Sequence, residues 1–312
     1  MEREKWNIRI RRTGERRETP VLSPEPGPGR PTAGGARVRG TGAVALAALI
    51  AATPLLAAEG GGYQALTTDY LKVCADPSNL PFSNEALEGF ENRIVELIAE
   101  ELGVEARYTW YPQSTGFVRN TLRLRECDLI SGITTTSEQV QNTNPYYHSV
   151  YSMVYREDSG IEATEMDDPD LQGKRLGVVA GTPPADILAR LGLLGSVRPY
   201  HLVTDTRRER PAEQAIEDLI AGEIDAAFIW GPIAGYHASR RPEAGLVVVP
   251  LLDEAPDVRM DFSVSMAVRY NETDWKRTIN RALDAREAEI VEVLRDYGVP
   301  LLNSRGELLG SD

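Results

Sequence analysis

Between Leu71 and Ile130 the chain alternates between strand-like and helix-like spacing of its apolar residues, and that alternation restricts the fold more than any other feature. Leu71–Ala75 is a short apolar run closed by the turn residues Asp76-Pro-Ser-Asn-Leu-Pro81, which reads as a strand. Gly89–Leu102 then sets Phe90, Ile94, Leu97, Ile98 and Leu102 on one helical face, with Gly103 as the stop. Glu105–Trp110 predicts a second strand, and Thr115–Leu124 a helix carrying Phe117, Val118 and Leu122. Cys127–Ile130 predicts a buried strand that ends in Ser131-Gly132-Ile-Thr134. Strands separated by helices argue for parallel pairing, with ligand-facing loops at the strands' carboxyl ends.

A second α/β pattern follows. Residues 150–156 (VYSMVYR) predict a strand, as do Lys174–Val179, Val197–Val203, Asp225–Trp230 and Leu246–Leu252. Helices are expected at Ala185–Leu191, opened by proline, and at Pro211–Ala221, with Ala215, Ile216, Leu219 and Ile220 inward. Met260–Val268 alternates and is placed to cross back, and Asp274–Tyr297 predicts one long final helix. No short repeat is present. A chain of 312 residues, 42% apolar and 26% charged, has room for two lobes with buried cores.

The first 58 residues read as an address. They are Arg-rich, with Pro and Gly concentrated from Pro20 to Gly35, and show no apolar periodicity. Thr41–Leu56 (TGAVALAALIAATPLL) is one apolar stretch, short of the ~20 residues a membrane helix needs. Basic flank, short apolar core and small residues at its end predict a secretory signal removed near Ala58, in preference to a membrane anchor or buried helix. A start nearer Val38 would leave a signal of ordinary length. The mature chain is expected to be exported, soluble and not inserted in a membrane.

Charge narrows the partners. The whole chain carries −13, but residues 1–58 hold 10 Lys/Arg and 5 Asp/Glu, which leaves 24 against 42 in the body, or −18. Such a body repels phosphates and anionic headgroups, so nucleic acid is not an expected partner and a basic protein suits it better. Two cysteines, Cys74 and Cys127, are too few for a zinc ribbon or a disulfide scaffold. His148, His201 and His237 lack metal-ligand spacing, Gly60-Gly-Gly62 precedes a strand instead of following one, and no nucleophile elbow is present. Neither metal, cofactor nor catalytic residue is predicted.

Several segments, in order over roughly residues 70–300, resemble the type II periplasmic binding proteins, the extracellular solute-binding family 3. They are the opening strand and turn, the Gly89-Phe-Glu91 helix start, Cys127-Asp128 with Ser131-Gly132, Asn144-Pro-Tyr-Tyr147, Leu171–Thr182 (LQGKRLGVVAGT) and Gly222–Ala226 (GEIDA). Within that family CADPSNLPFSN, GFENRI, YTWYPQ, GFVRNTLR and WGPIAGY are similar to the MxaJ/XoxJ-type branch, which accompanies PQQ-dependent methanol dehydrogenases. The resemblance implies an α/β, two-lobed type II fold with mixed sheets flanked by helices and a central cleft. Lobe 1 would comprise 59–155 plus 260–312, and lobe 2 156–259.

The departures from the family carry the functional expectation. Amino-acid-binding relatives hold the ligand carboxylate with an Arg after the Ser-Gly-x-Thr strand; Gln139 stands there in this chain. They hold the ammonium with an Asp after the Asp-Ala strand; here that position is Trp230. A zwitterion would be left unpaired, at a cost of several kcal/mol. The cleft is expected to use Asp76, Asn79, Phe82, Tyr111, Gln113, Gly132, Thr134, Tyr146, Tyr147, Gly181, Thr182 and Trp230. Glu91 reads as a dipole partner at a helix start and Arg119 as a solvated surface residue. The implied role is a monomeric, periplasmic, non-enzymatic accessory protein of a PQQ-dependent methanol or alcohol dehydrogenase, with that enzyme and its cytochrome c as partners. PQQ and metal would belong to the dehydrogenase. The alternatives are a receptor delivering an uncharged small solute to an ABC importer, and an enzyme on the same fold, which would need a cleft acid of strongly shifted pKa. Cys74 and Cys127 lie on strands expected to be neighbours, so export permits a disulfide between them.

Overall fold

Residues 69–309, except 203, 204 and 253, are described by a computed structural model; the leader and signal expected over 1–58 lie outside the described residues. In chain order the elements are β1 (Tyr70–Ala75), β2 (Ser78–Asn79), β3 (Ser83–Asn84), α1 (Phe90–Leu102), β4 (Glu105–Trp110), α2 (Phe117–Asn120), β5 (Leu129–Thr134) and β6 (Gln141–Arg156). Then come β7 (Leu176–Val179), α3 (Pro183–Arg190), β8 (Val197–Tyr200), α4 (Pro211–Ile220), β9 (Ala226–Trp230), α5 (Gly231–Arg240), β10 (Leu246–Pro250), β11 (Asp261–Val268), α6 (Thr273–Ala285) and α7 (Glu287–Asp296).

The main sheet runs β4-β1-β5-β11-β6-β9-β7-β8, with β10 also on β6. Pairings β1–β4, β1–β5, β7–β8 and β7–β9 are parallel, as the strand–helix alternation requires. Those made by β11, by β10 and between β6 and β9 are antiparallel, so the sheet is mixed. β6 belongs to both halves of this two-lobed fold: Gln141–Val150 pairs with β11, while Tyr151–Tyr155 pairs with β9. On the first half, Phe90, Ile94, Val95 and Ile98 of α1 are fully buried against β1, α6 and α7, worth about 1.5–3 kcal/mol per side chain. On the second, Ala215, Ile216 and Leu219 of α4 pack on β9 and β7.

Four elements differ from the sequence expectation. β6 begins at Gln141 instead of residue 150, because Pro145 is accommodated at an irregularity in the β6–β11 register, opposite Ser265. The helix expected over Thr115–Leu124 stops after Asn120 and resumes as a 3₁₀ turn. There Thr121 donates back to the Phe117 carbonyl, and the buried Arg269 guanidinium takes the carbonyls of Leu122 and Cys127. That turn brings Cys127 to Cys74, and the two form a disulfide with Cα atoms 5.5 Å apart. The final helix bends at Arg286 into α6 and α7. A straight rod of that length would span about 36 Å, and the bend returns Ile290, Val293 and Leu294 to the core beside α1. Finally, Gly231–Arg240 forms the unexpected helix α5. Its glycines serve close approach, since a Cβ on Gly235 would overlap the Gly298 carbonyl.

Candidate functional site

The turns after β1 and β4, the carboxyl ends of β7 and β9 and the amino ends of α3, α4 and α5 converge on a cavity of about 170 Å³. Asn79, Leu80 and Gln113 line it from one half of the fold; Tyr151, Thr182, His201, Thr206, Arg210, Glu213 and Trp230 are among those lining it from the other. Its aromatic wall is built on the strand crossing. Trp230, the last residue of β9, lies opposite Tyr151 of β6, their rings 5.1 Å apart, and Phe262 of β11 stands 6.1 Å from the indole. Thr182 caps the cavity from the start of α3, its hydroxyl donating to the Val179 carbonyl at 2.6 Å.

Asp76 organises the other side. It is buried at the end of β1 and accepts from the backbone N–H of Ser78 at 2.9 Å and of Gln113 at 2.6 Å. It also accepts from the Thr206 hydroxyl at 2.7 Å, a bond that reaches across the cleft. Gln113 continues the network by donating its amide to the Gly132 carbonyl at 2.8 Å. Beneath Gly132 lies Glu91, buried, accepting from Ser131 Oγ at 2.6 Å. Burial pushes the Glu91 carboxyl up to about 7, the Ser131 bond opposing the rise and Asp76 adding to it. A Cβ on residue 132 would overlap Glu91 Oε1, so glycine is what lets the carboxyl sit under the strand. Tyr146 donates to the Ser131 carbonyl at 3.1 Å. Tyr147 is buried edge-on to Phe90 at 5.8 Å; burial raises its hydroxyl well above 10, and a hydrogen bond with Trp230 opposes that.

Of the residues expected at the cleft, Asn79, Gln113, Thr182 and Trp230 line the cavity, and Asp76 meets it through Thr206. Gly132, Tyr146 and Tyr147 form the layer behind it. The remaining residues sit elsewhere: Phe82 packs edge-on against Phe90, and Tyr111 accepts from Asn120 beside Phe117. Thr134 is exposed, bonded to Thr136, and Gly181 is a left-handed turn before α3. Gln139 and Arg119 are exposed and away from the cavity. Sequence reasoning missed His201, Thr206, Arg210 and Glu213. They occupy a charged segment with no local mark of function, in which Arg210 pairs with Glu213 at 3.0 Å. Glu91 does stand in the first turn of α1, as the dipole reading has it, and the structure adds that its carboxyl is buried. The arrangement offers amides, hydroxyls and aromatic faces, and its charged lining residues Arg210 and Glu213 are paired with each other, which suits recognition of a neutral group.

The chain belongs to the bacterial extracellular solute-binding proteins, family 3, whose sequence profile matches residues 71–297. Within the family its likeness is to the MxaJ/XoxJ branch. It is 42% identical to the periplasmic binding protein XoxJ from Methylobacterium extorquens AM1, with a TM-score of 0.64 over 75% of this chain and 100% of that one. MxaJ from Methlophaga aminisulfidivorans MPT is 26% identical, with a TM-score of 0.64 over 74% of this chain and 100% of that one. Protein MoxJ of Paracoccus denitrificans is 28% identical over 285 residues, 86% of this chain and 98% of that protein.

Proposed function

We propose that the protein is a periplasmic accessory protein of a PQQ-dependent methanol or alcohol dehydrogenase. It binds the dehydrogenase, or a segment of it, in or near the interlobe cleft and aids its maturation or activity without catalysing a reaction itself. The lobes in this reading are 59–155 with 260–312, and 156–259. One observation carries it: the indole of Trp230 forms a cavity wall where amino-acid receptors place a carboxylate, and the guanidinium that lines the cavity, Arg210, is paired with Glu213 at 3.0 Å. A pocket with an aromatic wall and the amides of Asn79 and Gln113 at its edge suits a protein anchor, with Trp and Tyr providing rigid contact area. The −18 body favours encounter with a basic surface.

Deleting the gene in its parent bacterium tests the role. Dehydrogenase assembly and growth on methanol should fall, and a plasmid copy should restore both. Unchanged assembly and growth would refute it. A thermal-shift screen separates the receptor reading, because a small neutral solute bound at micromolar affinity would raise the melting temperature and favour transport.

A further inference from the structure

The two halves of the fold meet along the β6 crossing and where α5 packs on Gly298 and Tyr297, and across the mouth of the cleft a side-chain hydrogen bond adds a removable contact. On the hinge side β6 runs continuously through both halves, and Trp230 packs against Tyr151 and Phe262. Across the cleft Thr206 Oγ1 donates to Asp76 Oδ1 at 2.7 Å. We propose that this hydrogen bond is a latch that sets access to the cavity, with Thr206 acting as a built-in occupant that an incoming guest displaces.

Both ends of the bond are held in place before they meet. Asp76 is only 1% exposed, and the N–H groups of Ser78 and Gln113 fix its carboxylate from its own side. Thr206 stands at the tip of a tight turn. The Asp205 carbonyl accepts from the N–H of Arg208 at 2.8 Å and of Glu209 at 3.0 Å. The Asp205 carboxylate accepts from Arg207 backbone and guanidinium, and that pairing lowers the carboxyl to about 2. Such a turn presents its hydroxyl without further ordering, and a bond to an ionised acceptor is of the strong kind. Thr206 also lines the cavity together with Asn79 and Gln113, so a group bound there lies against the latch.

The latch is a property of this chain alone, so its test is independent of which partner the cleft serves. Hydrogen–deuterium exchange is followed by mass spectrometry on the wild type, Thr206→Val and Thr206→Ser. Thr206 sits in a surface turn, so neither variant removes a core contact. Thr206→Val keeps the shape and deletes the donor. Peptides spanning 76–84 and 180–187 should then exchange about tenfold faster, since losing a hydrogen bond to a charged group favours opening by that order. A core peptide of α1, 94–100, should be unchanged, and Thr206→Ser should match the wild type. Wild-type exchange in Thr206→Val would overturn the latch, as would equal acceleration in Thr206→Ser or in the α1 peptide.

Discussion

Replacing Glu91 with glutamine should change how stability depends on pH, and by an amount the structure sets. The Glu91 carboxyl is buried with one hydroxyl donor, Ser131, and the neighbouring Asp76 charge disfavours its ionisation. Its pKa therefore rises from the ordinary 4.5 to about 7 in the folded chain. Between those values the native state keeps a proton that the unfolded state has released, so stability falls as pH rises through the window and levels off above it. The difference amounts to about 3 kcal/mol at most. A glutamine side chain in this place would still accept from Ser131 and never ionises. Glu91→Gln should thus equal the wild type near pH 4.5 and exceed it by up to about 3 kcal/mol at pH 8. Urea unfolding followed by tryptophan fluorescence at half-unit pH steps measures it. The variant-minus-wild-type difference is the quantity to plot, because many other carboxylates titrate in the same range. A flat difference from pH 4.5 to 8 would refute the burial argument.

His237 should act in the opposite direction. Burial and Arg241 depress its pKa from 6.5 to about 4, so its share of stability is lost as pH falls from 6.5 toward 4, and His237→Gln should flatten that limb of the same titration. The two slopes offset one another in the wild type, and only the single variants expose them. Removing the disulfide with Cys74→Ser and Cys127→Ser together should lower unfolding free energy by about 4 kcal/mol in the chain-entropy account of a loop closed across 53 residues. Denaturant titration of the double variant against the oxidised wild type checks it.

Elements whose apolar spacing is clean were legible in the sequence, and the reason is local. In α1 and α4 every residue assigned to the inner face is buried or half-buried, because a helix of 10–13 residues with one apolar stripe has one way to pack. Where tertiary geometry overrides local preference, legibility failed. Proline is disfavoured inside a sheet, and the strand is expected only from residue 150, yet β6 passes through Pro145 at a register shift. Gly231, Pro232 and Gly235 lower helix propensity, and no element is expected there, yet the glycines are what allow α5 to lie against Val150 and Gly298. The long C-terminal helix pattern carries no sign that Arg286 will bend it, since its guanidinium finds Glu101 only after the chain has folded.

The site divides along the same line. Trp230, Gln113 and Asn79 stand next to strand ends and turns, where an α/β fold concentrates its binding groups, and they could be named from position. Thr206 and Arg210 come from a charged stretch that resembles any solvated loop, and only the juxtaposition of two lobes brings them to the cavity. The burial of Glu91 was not legible because a helix start is usually wet; here Gly132 admits its carboxyl under a strand.

The central claim is that the cleft recognises the dehydrogenase through Trp230, and direct binding tests it best. Purified mature protein and its Trp230→Ala variant are titrated onto immobilised PQQ-dependent dehydrogenase, with the melting temperature of each recorded in parallel. The account predicts saturable binding by the wild type. In the variant it predicts a loss of about 2 kcal/mol, roughly thirtyfold, carried mostly by faster dissociation. Unchanged affinity in a variant that melts normally, or no binding by the wild type, would contradict it.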